Sequence, residues 1–334
     1  MNPKIISPMG WGNGAYVVHK LLEAHLPNYR VVSYHPYWTL FPFALRMAAP
    51  TKGAALIHTN PDYGLFFQKR NVPLVLTLHN YVLDHWMHSY STWAQRVHYS
   101  TDLRLFTWIS LNHADAITAV SHYTAAIAQE DLRISKPIRV IYDGIDTDRF
   151  TPPIRPASPQ REIKVFFSGN ISLRKGAQWL PEIAQRLDKN ITIYYTQGLR
   201  GKNDIPAAPN LQPIGAVTYE NMPDRYREMD ILLMPTVREG FGLSVAEAMA
   251  TALPVVASDC SSIPELVDNG EGGYLCPVGD VGAFAEKINF LAANPSLRKE
   301  MGEYNRDKAV RMFRLDQMVE GYKQLFEEVL DSRR

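Results

Sequence analysis

The chain has 334 residues, 46% of them hydrophobic, and a formal net charge of +1. That length exceeds one small core and suits two α/β domains, and the near-neutral balance excludes a bulk electrostatic attraction to nucleic acid or anionic lipid. Cys260 and Cys276 lie in one half without metal-ligand spacing, so two reduced structural thiols are expected and a zinc site is not. The N-terminus is broken by Pro3, Pro8 and Gly10 before an apolar signal core can develop, and no uncharged apolar run reaches spanning length. The expectation is a cytoplasmic protein without a standard signal peptide or a membrane-spanning helix.

Short apolar runs of strand length recur at Lys4–Ser7, Leu56–His58, Leu74–Thr77, Ala116–Ala119 and Ile138–Tyr142, separated by stretches long enough for helices. Such alternation predicts a parallel sheet covered on both faces. After the first run, Gly10-Trp-Gly12-Asn-Gly14-Ala15 can be aligned with the dinucleotide pattern. However, Val31–Pro36 supplies no acidic residue for the ribose, which disfavours a nicotinamide dehydrogenase. A tight strand-to-helix turn explains these glycines equally well. The aromatic stretches Tyr34–Phe43 and Tyr81–Tyr90 fit either stacking on an acceptor sugar, or a lipid-linked one at a membrane surface, or ordinary packing of surface loops. His79 ends the run Leu74–Leu78, where open α/β sheets present side chains to a ligand. Asp146-Thr-Asp148 has the D-x-D form that holds a divalent metal in some transferases, but Asp143-Gly-Ile-Asp-Thr-Asp-Arg-Phe150 reads better as a turn.

Thr151–Gln160, with four prolines in ten residues, is the predicted linker. A second series of runs follows at Ile163–Phe167, Ile191–Tyr195, Ile231–Met234, Val255–Ala257 and Tyr274–Cys276, giving two Rossmann-like halves. Just after the first of these runs, Ser168–Gly176 carries Arg174 and Lys175. A fixed cation in such a loop stabilises the charge that develops on a leaving diphosphate more in the transition state than in the ground state. Further on, Ile231–Met234 reads as a buried strand and Ser244–Ala252 as a helix, joined by a glycine-rich turn with Glu239 in it and Glu247 on the first helical turn. Both carboxylates can then face one pocket, and the free N–H groups of the helix favour an anion. Ser244-Val-Ala-Glu247 is equally a capping box, a purely structural use of the same residues. Met318, Val319, Tyr322, Leu325, Phe326 and Val329 recur at helical spacing in Leu315–Leu330, an amphipathic helix with no strand after it.

The segment from Pro235 to Gly270, with Glu239 and Glu247 spaced E-x₇-E, Ala252-Leu-Pro-Val-Val-Ala-Ser-Asp259 and Ile263-Pro-Glu-Leu-Val-Asp-Asn-Gly270, resembles the signature region of the retaining, family 4 type glycosyltransferases. The likeness is strong from Gly144 to Gly279 and looser from Gly10 to Val120. It implies a GT-B fold: two Rossmann-like domains facing a cleft, with the C-terminal helix crossing back to the N-terminal domain. The implied domains are 1–152 with 314–332, on the acceptor side, and 153–313, binding the nucleotide sugar.

By the same resemblance, Glu239 and His79 are the catalytic candidates, beside the donor sugar. Glu247 would bind the ribose hydroxyls, Lys175 and Arg174 the diphosphate, the Phe241-Gly242-Leu243-Ser244 backbone the sugar and phosphate, and Gly12 the donor from the first loop. The family usually has arginine where this chain has Asn170, and keeps Lys175-Gly176. The implied partners are a nucleoside diphosphate sugar as donor substrate and a saccharide or lipid-linked acceptor, with peripheral membrane contact as an extension of the latter. No nucleic acid, metal or cofactor is implied. Three other classes stand beside the transferase: a glycosidase, which needs its two carboxylates on opposite sides of the scissile bond, a sugar-nucleotide epimerase, and a non-catalytic nucleotide-sugar-binding subunit.

Overall fold

The computed structural model describes residues 4–153, 162–197 and 205–333. Of the predicted linker, residues 154–160 lie outside the described residues. The chain divides into two compact units, Met1–Gly144 with Asp316–Arg334, and Ile145–Leu315.

The first unit holds strands β1 (Ile5–Gly10), β2 (Tyr29–Tyr34), β3 (Leu56–Thr59), β4 (Leu74–Leu78), β5 (Ala116–Ala119) and β6 (Ile138–Val140). They form one parallel sheet in the order β2-β1-β3-β4-β5-β6. All five residues of β4 are buried, as a two-sided parallel sheet requires. The apolar runs are interrupted by Ser7, His58, Thr77 and Thr118, which are also buried and lie on β1, β3, β4 and β5. Tyr322 and Phe326 of the helix Leu315–Asp331 reach this polar seam. The Tyr322 hydroxyl lies 3.3 Å from Thr77 Oγ1, and Phe326 packs on His58 and Tyr29 with centroids 5.1 and 5.9 Å apart. Met318, Leu325 and Val329 complete its buried stripe, and Glu328 pairs with Arg139 at 2.6 Å. The C-terminal helix thus belongs to the N-terminal unit.

The second unit holds β7 (Ile163–Phe167), β8 (Ile191–Tyr195), β9 (Leu211–Pro213), β10 (Ile231–Met234), β11 (Val255–Ser258) and β12 (Gly273–Cys276), in the parallel order β12-β11-β10-β7-β8-β9. Val165, Phe167, Ile193, Leu233 and Val256 pack with Ile183, Phe284 and Ile288 in its core. The edge strand β9 was not expected from the sequence: it has three residues, only Leu211 of them buried, and so carries no apolar run.

The division falls at Gly144–Ile145, upstream of the proline-rich stretch. Ile145 N–H donates to Phe313 O at 2.7 Å and Leu315 N–H donates to Ile145 O at 3.0 Å. Fully buried Phe150 packs edge-on against Tyr226, and Arg306 Nη1 donates to its carbonyl at 2.7 Å. Residues 145–150 are thereby fixed to the second unit before the prolines begin. Among the described residues no helix is long and apolar enough to cross a membrane.

Candidate functional site

In the second unit, β10 ends at Met234 and the chain runs through a wholly buried turn, 235–242, into the helix Leu243–Ala250. Gly242 makes this entry feasible. Its φ of +105° is left-handed backbone, which a residue with a Cβ adopts only at a cost. The helix starts one residue earlier than the sequence implies and ends at Ala250, with Gly242 as its N-cap and no side-chain cap. The capping box between Ser244 and Glu247 is therefore absent. Ser244 Oγ is buried without a hydrogen-bond partner among the described residues. Glu247 instead accepts from the Tyr226 hydroxyl at 2.8 Å, and the same hydroxyl lies 3.2 Å from Ser244 O. The local structural use of Glu247 is overturned because the turn geometry makes Gly242 the cap and leaves Ser244 inside the first turn.

Glu239 is buried, with 6% of its surface exposed. Its Oε1 lies 2.8 Å from Lys175 Nζ and 3.6 Å from Arg174 Nη1, and accepts from Thr236 Oγ1 at 2.8 Å. Its backbone is fixed as well: Glu239 N–H donates to Ser261 Oγ at 2.9 Å, and Ser262 Oγ donates to Glu239 O and Phe241 O. The two loops are joined through Val237 N–H to Arg174 O at 2.8 Å and Arg174 Nη1 to Arg238 O at 2.8 Å. Arg174 thus spends one guanidinium nitrogen on a loop carbonyl while its charge faces Glu239. Phe241 is 2% exposed and packs edge-on against Phe313, so its side chain belongs to the core and only its backbone is a candidate contact. Leu243 is half-buried.

The two glutamates titrate in opposite directions. Burial pushes Glu239 up, but Lys175 and Arg174 outweigh it and hold the carboxyl below its ordinary value. Burial pushes Glu247 up to about 7 against the opposing pull of Tyr226 and Lys175. Burial lowers Lys175, with Glu239 opposing. A raised folded-state pKa means the folded form binds more protons than the unfolded form between about 4.5 and 7, so Glu247 costs stability progressively as pH rises through that window. Glu247→Gln should remove this cost: the stability of the variant relative to the parent should increase from pH 4.5 to 7 and level off above. Paired denaturant titrations across that range check it, and a difference that stays flat with pH would show that Glu247 is not held in this state.

In the first unit, Gly12 lies in the turn after β1, where Asn13 Oδ1 caps the helix Gly14–His25 by accepting from Tyr16 N–H at 2.8 Å. His79 follows β4 directly. Its Nε2 lies 3.0 Å from His19 Nε2, and burial pushes its pKa down to about 3. Ser121, just past β5, caps the helix His122–Leu132 through Thr124 N–H. Asp146 Oδ1 accepts from the N–H groups of Asp148 and Arg149 at 3.2 and 3.1 Å, the bonding of a turn. No group of three or more potential metal ligands occurs among the described residues. Nothing in the sequence points to Tyr226, Thr236, Ser261 and Ser262, which hold the two glutamates, nor to His19: single hydroxyl and imidazole residues in apolar context reveal a partner only once the chain is folded.

A family model described as Glycosyl transferases group 1 matches residues 162–294, and one described as Glycosyltransferase Family 4 matches residues 2–149. N-acetyl-alpha-D-glucosaminyl L-malate synthase of Bacillus anthracis is 26% identical over 66% of this chain and 61% of its own length. The chain spans about half to three-fifths of the length of the curated relatives it first matches. Among solved structures, sucrose-phosphate synthase from Thermosynechococcus elongatus superposes with a TM-score of 0.82 at 18% identity, covering 98% of this chain and 100% of its own. The Anabaena protein HepE in complex with UDP and glucose gives 0.80 at 18% identity, with the same coverage. These likenesses carry the fold, GT-B.

Proposed function

Because the chain belongs to the group 1 and family 4 glycosyltransferases, its two halves each matched by one of those models, we propose that it moves a sugar from a nucleoside diphosphate sugar to an acceptor hydroxyl with retention of anomeric configuration. The observation that carries this reading is the Lys175–Glu239 pair at 2.8 Å, with the buried Glu239 held on the turn that leads into the Glu247 helix. It sets a cation and a carboxylate beside a helix N-terminus, the combination that a sugar diphosphate requires. Glu247 serves the ribose, Glu239 the sugar, and Lys175 with Arg174 the diphosphate, with the backbone from Phe241 to Ser244 against sugar and phosphate. His79 and Gly12 contribute from the first unit on the strength of the sequence resemblance. HepE binds UDP and glucose, which makes UDP the first base to try.

The surface of the first unit supports one acceptor class. Tyr37, Leu40, Phe41 and Phe43 are exposed by 69–84% in two short 3-10 turns. Apolar side chains presented this way fit a lipid-linked saccharide acceptor at a membrane face, in polysaccharide or glycolipid assembly by a peripheral cytoplasmic enzyme.

The test is incubation with UDP-, GDP- and ADP-sugars, with and without excess EDTA, following nucleotide release and the configuration of the sugar. Release of nucleoside diphosphate with retained configuration, undiminished by EDTA, is expected. Epimerised sugar nucleotide without an acceptor would assign an epimerase, tight binding without turnover a binding subunit, and loss with EDTA restored by manganese a metal-dependent transferase. Within the same assay, Glu247→Gln should weaken nucleotide affinity, whereas Glu239→Gln should leave nucleotide affinity near the parent and lower kcat. Isothermal titration with UDP separates the two, and equal behaviour of both variants would sink the assignment.

A further inference from the structure

The helix Gly14–His25 sends His19, with no exposed surface, into the polar seam of the first sheet. His19 Nδ1 lies 2.7 Å from Ser7 Oγ and 2.7 Å from the Tyr29 hydroxyl, while its Nε2 lies 3.0 Å from His79 Nε2. The Tyr29 hydroxyl also lies 2.7 Å from His58 Nδ1, and His58 Nε2 lies 2.6 Å from Thr77 Oγ1, which meets Thr118 Oγ1 at 2.7 Å. One line of hydrogen bonds therefore runs from the interior of the sheet to His79. It ends there: His79 Nδ1 is buried and has no hydrogen-bond partner among the described residues.

Counting hydrogens fixes the state of this line. Burial holds His19 and His58 well below the ordinary histidine range, with the neighbouring imidazoles adding to the effect, and His79 is lowered by burial as well. Each ring is therefore neutral near pH 7 and carries one N–H. A single hydrogen sits between the two Nε2 atoms, so His19 and His79 must adopt complementary tautomers. Two hydroxyls converge on His19 Nδ1, one of them phenolic. An imidazole lone pair is the strongest base in this seam; the single Tyr29 hydrogen serves one of His19 Nδ1 and His58 Nδ1, and the Ser7 hydroxyl is free to donate to His19 Nδ1 in either case, so His19 Nδ1 accepts. His19 then carries its hydrogen on Nε2 and donates it to His79 Nε2. The hydrogen of His79 is left on Nδ1, on the atom without a partner.

We propose that His19 is a positioning residue: by donating to His79 Nε2 it fixes His79 as the Nδ1–H tautomer and so presents an N–H donor to an oxygen of the donor sugar. An unpaired buried N–H is costly, and a ligand oxygen removes that cost. The principle is that of a triad, in which a buried partner sets the tautomer of the working imidazole. The inference rests on the reading of His79 as a sugar contact, and its test keeps the two apart.

The tautomer is read from long-range ¹H–¹⁵N correlation spectra of the full-length ¹⁵N-labelled protein, with the His79 signals identified by their loss in His79→Gln. The parent should show His79 with protonated Nδ1 and bare Nε2. His19→Gln, whose side-chain amide can still donate at the Nε2 position, should keep that pattern, and His19→Phe, which keeps the ring volume without a donor, should lose it. With UDP-glucose as the probe, His19→Phe should lower kcat by about tenfold with KM little changed, and His19→Gln should restore most of the loss. Hydrogen on Nε2 of His79 in the parent, or an unaltered His79 pattern in His19→Phe, overturns the proposal. If His19→Phe does not fold, a His19→Gln spectrum that has lost the Nδ1–H pattern does so. Should His79→Gln turn over like the parent while the tautomer is as stated, the sugar-contact reading fails and the tautomer assignment stands.

Discussion

Lys175→Ala is expected to lower kcat by about a hundredfold or more, the scale of losing one preorganised electrostatic group at a site of developing charge. Two effects add. The cation proposed to face the leaving diphosphate is lost, and Glu239, buried and 2.8 Å from Lys175 Nζ, loses its nearest counter-charge. Burial then acts on Glu239 with only Arg174 and the Thr236 hydroxyl to oppose it, so its carboxyl should titrate upward and the acid limb of the kcat profile should move to higher pH. Arg174→Ala should cost less. The Arg174 side chain is one-third exposed, lies farther from Glu239 at 3.6 Å, and donates to Arg238 O. Steady-state kcat and KM for both variants with one donor decide the matter, since loss of a transition-state contact lowers kcat whereas loss of uniform binding raises KM. Lys175→Ala with both parameters near the parent would make this loop a structural turn and place the diphosphate elsewhere.

Gly176→Ala is expected to unseat the same loop from below. Gly176 has φ +73°, and a Cβ there would lie 1.8 Å from Pro235 O and 2.9 Å from the Trp179 ring. The first obstacle is backbone, which cannot rotate away as a flexible side chain does. Left-handed strain of about 1–2 kcal/mol and overpacking of about 1–3 kcal/mol should together destabilise the second unit by about 2–5 kcal/mol. The relief open to the chain is to lift Leu173–Gly176 off Pro235, which breaks the bond from Val237 N–H to Arg174 O and carries Lys175 away from Glu239. Calorimetry should show a lower midpoint for the unit, and kcat should fall even at temperatures where the variant is folded. A variant with unchanged midpoint and turnover would mean that the Gly176–Pro235 approach is not what sets Lys175.

Asn170 stands where the resembling family usually has arginine, and Arg174, four residues on, brings its guanidinium to 3.6 Å from Glu239.

Much of the architecture was legible in the residues. Ten of the twelve strands among the described residues coincide with short apolar runs, because a strand buried on both faces must be apolar throughout, and that pattern is local. The strand Tyr29–Tyr34 mixes Arg30 and Ser33 with its valines, and Leu211–Pro213 is an edge of three residues, so neither carries such a run. The helical spacing of Met318, Tyr322, Leu325, Phe326 and Val329 likewise determined an amphipathic helix by itself. Glu239, Glu247 and Lys175 could be singled out because charged residues beside glycines at strand ends have a spacing that composition does not require.

What only the tertiary structure decided is which groups meet. The sequence left Ser244 and Glu247 open as a capping box, since that pairing depends on where the helix begins. The left-handed Gly242 settles it and hands Glu247 to Tyr226, twenty-one residues away. Lys175 and Glu239, sixty-four residues apart, come together only because Gly176 admits the Pro235 carbonyl. The division at Gly144 rather than in the proline-rich stretch, and the seam that joins His19, Tyr29, His58 and His79, are of the same kind. Periodicity is written along the chain because burial of a face repeats locally, whereas a hydrogen bond or an ion pair is set by distances of a few ångströms that exist only after distant segments have packed.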